Sequence, residues 1–253
     1  AKILNEWVHG GKKILCPVPN DPLPPIGTLG FRVQRYGMLQ WGDLFTVRQK
    51  VALHTLARIT GQTAEFGRTG SLALGKLVDL SNAICRWEPV AECPRNVFAA
   101  GRVKPAWDFA EGVPTSDSSG SWAVCIENLV AGVLSIGDVG NGGASQIAKA
   151  QDHPLPDNSA EIWFTDPPYY DAYPYSDLSD VFFVWFKRTD SARSLMRDPF
   201  DLRNPLTPKD AEAVQDEART VGGKPKNAKF FEKVIGEAFG EGRRVLNESG
   251  LGC

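Results

Sequence analysis

Apolar positions recur at helical spacing in several stretches, separated by polar and proline-rich segments. Leu44, Val47, Val51 and Leu56 predict a helix over 44–58, with Asp43 as its N-cap. Leu72, Leu74, Leu77, Leu80 and Ile84 predict a second helix over 71–86, and residues 122–134 a third. The run DLSDVFFVWFK (177–187) reads as a helix with a wide apolar face. Over 226–246, Phe230, Phe231, Val234, Ile235, Ala238, Phe239 and Val245 fall largely on one side of an amphipathic helix. Short strands are expected over 31–36 and 145–150. A third, AEIWFT (160–165), is an apolar run bounded by turn signals, as in a buried strand of a parallel sheet. The intervening segments read as connections: residues 1–30 with five closely spaced prolines, 87–121 with four more, a flexible glycine turn from Gly137 to Gly143, and a turn over 154–159. Residues 189–225 read as loop, with a short helix after Pro208.

The second half therefore runs strand, loop, helix, irregular loop, helix, a doubly wound α/β order with its next strand due where the chain stops. Residues 1–136 form a helical, loop-rich region and 137–253 a separate α/β part. The chain begins at Ala1 and ends at Gly250-Leu251-Gly252-Cys253, and reads as a piece of a longer protein. Composition changes this picture little: 42% hydrophobic and 23% charged residues over 253 positions describe an ordinary globular chain. A net charge of −2 argues against a bulk basic surface but leaves room for a local basic groove. The longest apolar run, 181–186, falls far short of the ~20 residues a membrane span needs, and the opening AKILNEWVHGGKK has no apolar signal region. The chain reads as cytoplasmic, with no membrane partner. Five scattered cysteines (Cys16, Cys85, Cys93, Cys125 and Cys253) are not a disulfide framework, and no Cys or His spacing matches a zinc site. They are expected to be reduced, buried or semi-buried thiols, with no metal.

The candidate chemistry lies directly after 160–165, in Asp166-Pro167-Pro168-Tyr169. Ligands in open α/β sheets bind outside the carboxyl ends of strands, where this tetrapeptide sits. From average residue usage, such an acid- or amide-Pro-Pro-aromatic match arises by chance in roughly one chain of this length per hundred. The exocyclic amine of a base is a poor nucleophile because its lone pair is delocalised into the ring. A carboxylate and a backbone carbonyl that accept its two N–H groups draw the nitrogen toward tetrahedral geometry and aim the lone pair at a methyl donor. Two prolines stiffen the turn and remove competing N–H groups, and the aromatic ring offers a stacking face to a base taken out of a duplex.

The longer run TDPPYYDAYPYSDLSDVFFVWFKR (165–188) closely resembles the large adenine-specific DNA methylases that carry a zinc ribbon, members of the S-adenosylmethionine-dependent amino-methyltransferases. HPLPDNSAEIWF (153–164), PLPPIGTLGFRVQRYGMLQWGDLFTVRQKVAL (22–53) and FFEKVIGEAFGEGRRVLNESGLG (230–252) resemble other segments of the same family, so the likeness touches most of the chain. The resemblance implies a partial Rossmann-like methyltransferase sheet, S-adenosylmethionine as donor and a DNA amine, adenine N6 ahead of cytosine N4, as acceptor. It implies that Asp166 and the Pro167 carbonyl accept the amine hydrogens, that Pro168 shapes the turn and that Tyr169 stacks on the base. Tyr170 and Asp171 extend the motif, and Tyr173, Tyr175 and Asp177 are candidates for lining the target pocket. The family's glycine-rich donor loop has no counterpart here, since Gly140, Gly142 and Gly143 follow a helix rather than a strand. The zinc-ribbon cysteines are also missing. The donor site is thus expected to be incomplete, with the rest of a longer parent chain as partner and this piece inactive alone.

Asp152 and Asp157, ahead of the motif strand, are candidates to approach the donor's adenine. Arg188, Arg193, Arg197, Arg203 and Lys209 either contact phosphates or, with interleaved Asp190, Asp198, Asp201 and Asp210, form a solvated loop. Arg32, Arg35, Arg48 and Trp41 are expected to pack. Two other classes of function stay open: an RNA or protein-glutamine amino-methyltransferase, whose motif favours Asn at position 166, and a catalytically dead module that binds nucleic acid or a partner chain.

Overall fold

The computed structural model describes residues 1–12, 14–62, 67–98, 101–137, 142–189 and 192–253. Within these, the chain is a mixed α/β protein whose helices α2 (Val47–Gln62), α3 (Gly67–Leu80), α4 (Trp122–Ile136) and α5 (Tyr175–Phe186) pack together. A first helix, α1 (Lys2–His9), lies at the N-terminus without a buried residue, in a stretch read from sequence as connection. The three sheets are small: β1 (Trp87–Glu88) with β2 (Cys93–Pro94), β3 (Ala160–Trp163) with β6 (Leu246–Gly252), and β4 (Asp216–Val221) with β5 (Lys224–Lys226). Helix α6 (Ala228–Val245) runs between β5 and β6.

The main core joins Val33, Trp41, Leu44, Leu53, Leu74, Leu77 and Val78 to Leu178, Val181, Val184 and Trp185 of α5. Phe45 meets Trp185 edge-on with ring centroids 5.3 Å apart, and Trp41 does the same with Phe31 at 5.9 Å. The ring of Phe186 lies over Gly75 on α3, where a Cβ would come within 2.7 Å of it. A second, smaller cluster of Ala213, Phe231 and Val234 lies under α6.

Several boundaries differ from the sequence reading, each for a local reason. Helix α2 starts after Thr46, whose Oγ accepts from Gln49 N–H while Gln49 Oε1 accepts from Thr46 N–H, a reciprocal capping box. Asp43 instead reaches back to the N–H groups of Leu39 and Gln40 and closes a 3₁₀ turn, Trp41–Leu44. The buried side of α2 is Gln49, Leu53, Ala57 and Thr60, so Val47 and Val51, expected on the core face, are exposed. Helix α3 stops at Leu80 rather than 86 because the Asn82 amide donates to the carbonyls of Val78 and Asp79 and accepts from Ile84 N–H. Ser121 caps α4 through Val124 N–H, two residues from the expected end at its other terminus.

The strand expected over 31–36 shrinks to one bridge between Phe31 and Val103, followed by a 3₁₀ turn Val33–Tyr36 that ends at Gly37 with φ +86°. Residues 145–150 form no strand, and Lys149 only closes a turn onto Asp152. The short helix expected after Pro208 within 189–225 does not form. The polar stretch there holds the β4–β5 hairpin, whose two loop residues Gly222 and Gly223 have φ of +57° and +77°, as a two-residue turn requires. The glycine turn expected from Gly137 lies largely outside the described residues, as do Gly140 and Asp190.

The largest correction concerns β3 and β6. The strand expected beyond the chain's end lies within it: β6 follows α6 directly and pairs in parallel with β3, Ala160 opposite Leu246 and Trp163 opposite Gly252. Two bonds extend the ladder, Cys253 N–H to the Trp163 carbonyl at 2.9 Å and Thr165 N–H to the Cys253 carbonyl at 2.8 Å. Contrary to expectation, β3 is not a buried strand. Among the described residues β6 is its one strand partner, and α6 covers the side carrying Trp163, so Ile162 is 70% and Phe164 76% exposed. Trp163 seats against α6 between Phe239, 5.6 Å away edge-on, and Gly242, where a Cβ would stand 2.4 Å from the indole.

That contact yields a test. In an open helix, Gly→Ala gains up to about 1 kcal/mol of propensity. At Gly242 the added methyl strikes a ring wedged between two elements, and overpacking of this kind costs about 1–3 kcal/mol. Gly242→Ala is expected to lower the stability measured by urea denaturation, whereas Gly236→Ala, which meets nothing within 4 Å on the same helix, is expected to raise it.

Candidate functional site

The parallel ladder ends at Thr165 and Cys253, and the chain turns through Asp166–Tyr169 immediately beyond it. Asp166, Pro167 and Pro168 line a cleft of about 810 Å³ together with Ile162, Trp163 and Phe164 and with Val234, Ala238 and Phe239 of α6. Gln151, His153, Ser176 and Glu212 add polar groups. Asp166 is exposed, and its carboxylate has no hydrogen-bond or ion-pair partner among the described residues. Tyr169 does not line the cleft; its ring stands 64% exposed beside it.

The rest of the motif is tied down. Tyr170 packs against Phe231 at 4.6 Å, donates its hydroxyl to Glu232 and accepts from Gln215 N–H through its carbonyl. Tyr170 is thereby spent on fastening the turn to α6 and the segment before β4. Tyr173 lies 5.8 Å from Tyr175 and against Gly101, and shares a shallow second cavity with Asp171. Of the residues expected at the acceptor site, the fold therefore brings only Asp166, Pro167 and Pro168 into the large cleft, sets Tyr169 beside it, and groups Asp171, Tyr173 and Tyr175 apart from it.

Helix α5 follows at once, and its N-terminus is held from outside. Glu212 accepts from Ser176 N–H at 2.8 Å and Ser176 Oγ at 2.5 Å, which satisfies a first-turn donor and sets a negative charge at the positive end of the helix. Asp177, expected at the target pocket, is instead buried and paired with Arg219 of β4, with Lys209 4.0 Å away. Asp180, also buried, accepts from Thr207 N–H and Oγ and faces Lys209 Nζ at 2.8 Å. Burial pushes the Asp177 carboxyl up to about 6 against the pull of Arg219 and Lys209, and raises Asp180 as well. Lys226, buried beside them, donates to the Lys209 carbonyl, and its burial lowers its pKa.

The far end of α5 is tied in the same way. Lys187 donates to Asp21 and the Pro205 carbonyl, and Arg188 to the carbonyls of Cys16, Val18 and Val184 and to Asp21. Arg188 and Lys209, offered above as phosphate contacts, are thus turned inward. Arg203 pairs with Asp201, and Arg193 donates to the Lys187 carbonyl. Arg197 is exposed. Trp41 packs as expected, and Arg48 pairs with Glu111.

Asp157 is also engaged. Arg244, at the end of α6, holds it at 2.5 Å and spans the carbonyls of His153 and Leu155 together with Glu241. The same guanidinium, with His153 N–H, pulls the Glu241 carboxyl down to about 2. Asp152 is exposed, its N–H bonded to the Lys149 carbonyl. Cys16, Cys85 and Cys125 are buried free thiols, and burial pushes Cys85 up to about 12 and Cys125 up to about 11, whereas Cys253 is exposed. Among the described residues no helix is long and apolar enough to cross a membrane, and no three or more His, Cys, Asp or Glu are grouped to hold a metal. No family model, curated protein or solved structure matches the chain.

Asp177 supplies a pH test. Its folded pKa of about 6 lies above the ordinary carboxylate value of about 3.9, so the folded chain holds this proton more tightly than the unfolded one. Its contribution favours folding below about pH 4 and is lost as the pH rises through about 6. The stability of the natural chain minus that of Asp177→Asn, from urea denaturation at several pH values, is expected to fall across that window and level off above it. A difference independent of pH would contradict the assignment.

Proposed function

We infer that the Asp166–Tyr169 corner is the acceptor site of an amino-methyltransferase acting on DNA, with adenine N6 as the target ahead of cytosine N4. The observation that carries this reading is the pairing of an unpartnered, exposed carboxylate with an exposed tyrosine ring at the mouth of a cleft, directly beyond the carboxyl end of a parallel strand. An extrahelical base stacks on Tyr169, and its amine donates one hydrogen to the Asp166 carboxylate and the other to the Pro167 carbonyl. Two acceptors on one nitrogen localise its lone pair, and Pro167 and Pro168 hold them in place with no N–H of their own to compete. The parallel β3–β6 pair with α6 between its strands supports a Rossmann-like sheet, in which such a corner is the ligand edge.

The donor implied by this reading, S-adenosylmethionine, supplies an electrophilic methyl group. The residues present do not make its site: Asp157 is taken by Arg244, and the glycine-rich loop has no counterpart. This chain is therefore the acceptor half, and its residues bind and orient the amine.

The test is transfer of a labelled methyl group to duplex DNA by the natural full-length protein that contains this sequence. Asp166→Ala is expected to reduce turnover by at least about a hundredfold, the lower range for loss of one aligned catalytic group, with donor affinity unchanged. Tyr169→Ala is expected to lose turnover while the fold, followed by circular dichroism, stays intact. Undiminished turnover in Asp166→Ala would overturn the assignment, and transfer to RNA or a glutamine amide in preference to DNA would move the substrate class.

A further inference from the structure

Beside the tyrosine cluster the chain builds a basic strip. The bridge between Phe31 and Val103, closed by Arg32 N–H to the Val103 carbonyl and Val103 N–H to the Gly30 carbonyl, brings Arg32 and Arg102 together from distant parts of the sequence. Both line the second cavity, about 480 Å³, with Leu29, Gly30, Asp171 and Tyr173. Arg32 also borders an adjoining hollow of about 210 Å³ that Arg35 lines. All three arginines are exposed, and none of their guanidiniums has a hydrogen-bond or ion-pair partner among the described residues. This contrasts with Arg188, Arg193, Arg203, Arg219 and Arg244, which all bind an acid or a carbonyl; Arg197 is exposed. In a chain of net charge −2, three free guanidiniums beside two acids, Asp171 and Asp216 (whose Oδ2 accepts from Leu29 N–H at 3.4 Å), leave a local positive surface.

The strip is fixed in place against the motif. Gly101, at φ +64°, lets the Tyr173 ring lie on its backbone, where a Cβ would come within 2.6 Å of the ring. Residues 29–32, 101–102 and 171–173 thus converge on one small concavity, a few residues along the chain from Tyr169.

We propose that Arg32 and Arg102 hold the phosphates of duplex DNA on either side of the base that enters the Asp166–Tyr169 corner, with Arg35 extending the track. The inference rests on the acceptor reading above. A base leaves a duplex by rotating about its own backbone, so a protein that receives it must grip the phosphates flanking it. Guanidiniums suit this task because their planar fork meets two phosphate oxygens at once.

Salt dependence measures such contacts independently of catalysis. Each phosphate neutralised on B-form DNA contributes about 0.9 to the slope of log affinity against log salt concentration. Binding of a fluorescein-labelled duplex by this chain, followed by anisotropy across a salt series, is expected to have a slope shallower by about 1.8 in the Arg32→Gln/Arg102→Gln double variant. The loss is expected to be the same for duplexes of unrelated sequence. Arg203→Gln, which removes an exposed arginine already paired with Asp201, is expected to leave the slope unchanged. Both substituted arginines are exposed, so circular dichroism should report an intact fold. An unchanged slope in the double variant, an equal change in Arg203→Gln, or no duplex binding by the natural chain at low salt would each overturn the clamp. The acceptor reading fails separately, by undiminished methyl transfer in Asp166→Ala whatever the slopes show.

Discussion

Everything around the candidate site depends on the burial of α5 together with its charges. Leu178, Val181, Val184 and Trp185 place this helix in the main core, yet Asp177, Asp180, Lys187 and Arg188 are buried with them. An isolated charge out of water costs several kcal/mol, so each of the four needs a partner. Arg219 and Lys209 answer the two aspartates, and Asp21 with a set of carbonyls answers Lys187 and Arg188. These partners come from segments far apart in sequence, and meeting them fixes where the irregular N-terminal stretch, the 205–212 loop and the β4–β5 hairpin lie. Glu212 completes the arrangement at the N-terminus of α5.

The motif gains its geometry from this anchoring. It is strung between two fixed points, the end of the β3–β6 ladder at Thr165 and the start of α5 at Tyr175, and is pinned midway by Tyr170 on Phe231. What remains free is what the proposed chemistry needs: a carboxylate without a partner, a proline carbonyl and an exposed ring. A side chain that spends its hydrogen bonds inside the protein has none for a substrate. Asp166 differs in this from Asp157, Asp177 and Asp180, though not from the exposed Asp171, and on the proposed reading its place directly beyond the β3–β6 ladder is what sets it apart.

The local pattern made the helices and the site legible to different degrees. Helices α2 to α6 followed from apolar spacing, and the tetrapeptide at 166–169 from its residue types. The parallel strand after α6 was hidden because Leu246-Asn-Glu-Ser-Gly reads as a turn, and its pairing rests on backbone bonds to residues 86 to 89 positions earlier. The hairpin is signalled by Gly222-Gly223 between strand-like runs, and the start of α2 by Thr46 and Gln49 at capping-box spacing, so both are readable from local sequence. The charge network was not readable at all: nothing in the order of residues says that Asp177 will meet Arg219, or that Arg32 will stand beside Arg102. Burial of charge is a property of the assembled fold, and sequence shows only that charges are present.

The most direct test of the account is whether a base leaves the duplex for this corner. With 2-aminopurine at the target adenine of a duplex substrate, binding should raise its fluorescence as the base unstacks, and Tyr169→Ala should diminish that rise while leaving duplex affinity nearly unchanged. Saturating binding with no change in 2-aminopurine fluorescence would show that the base stays in the helix. The Asp166–Tyr169 corner would then not be an acceptor site for a DNA amine.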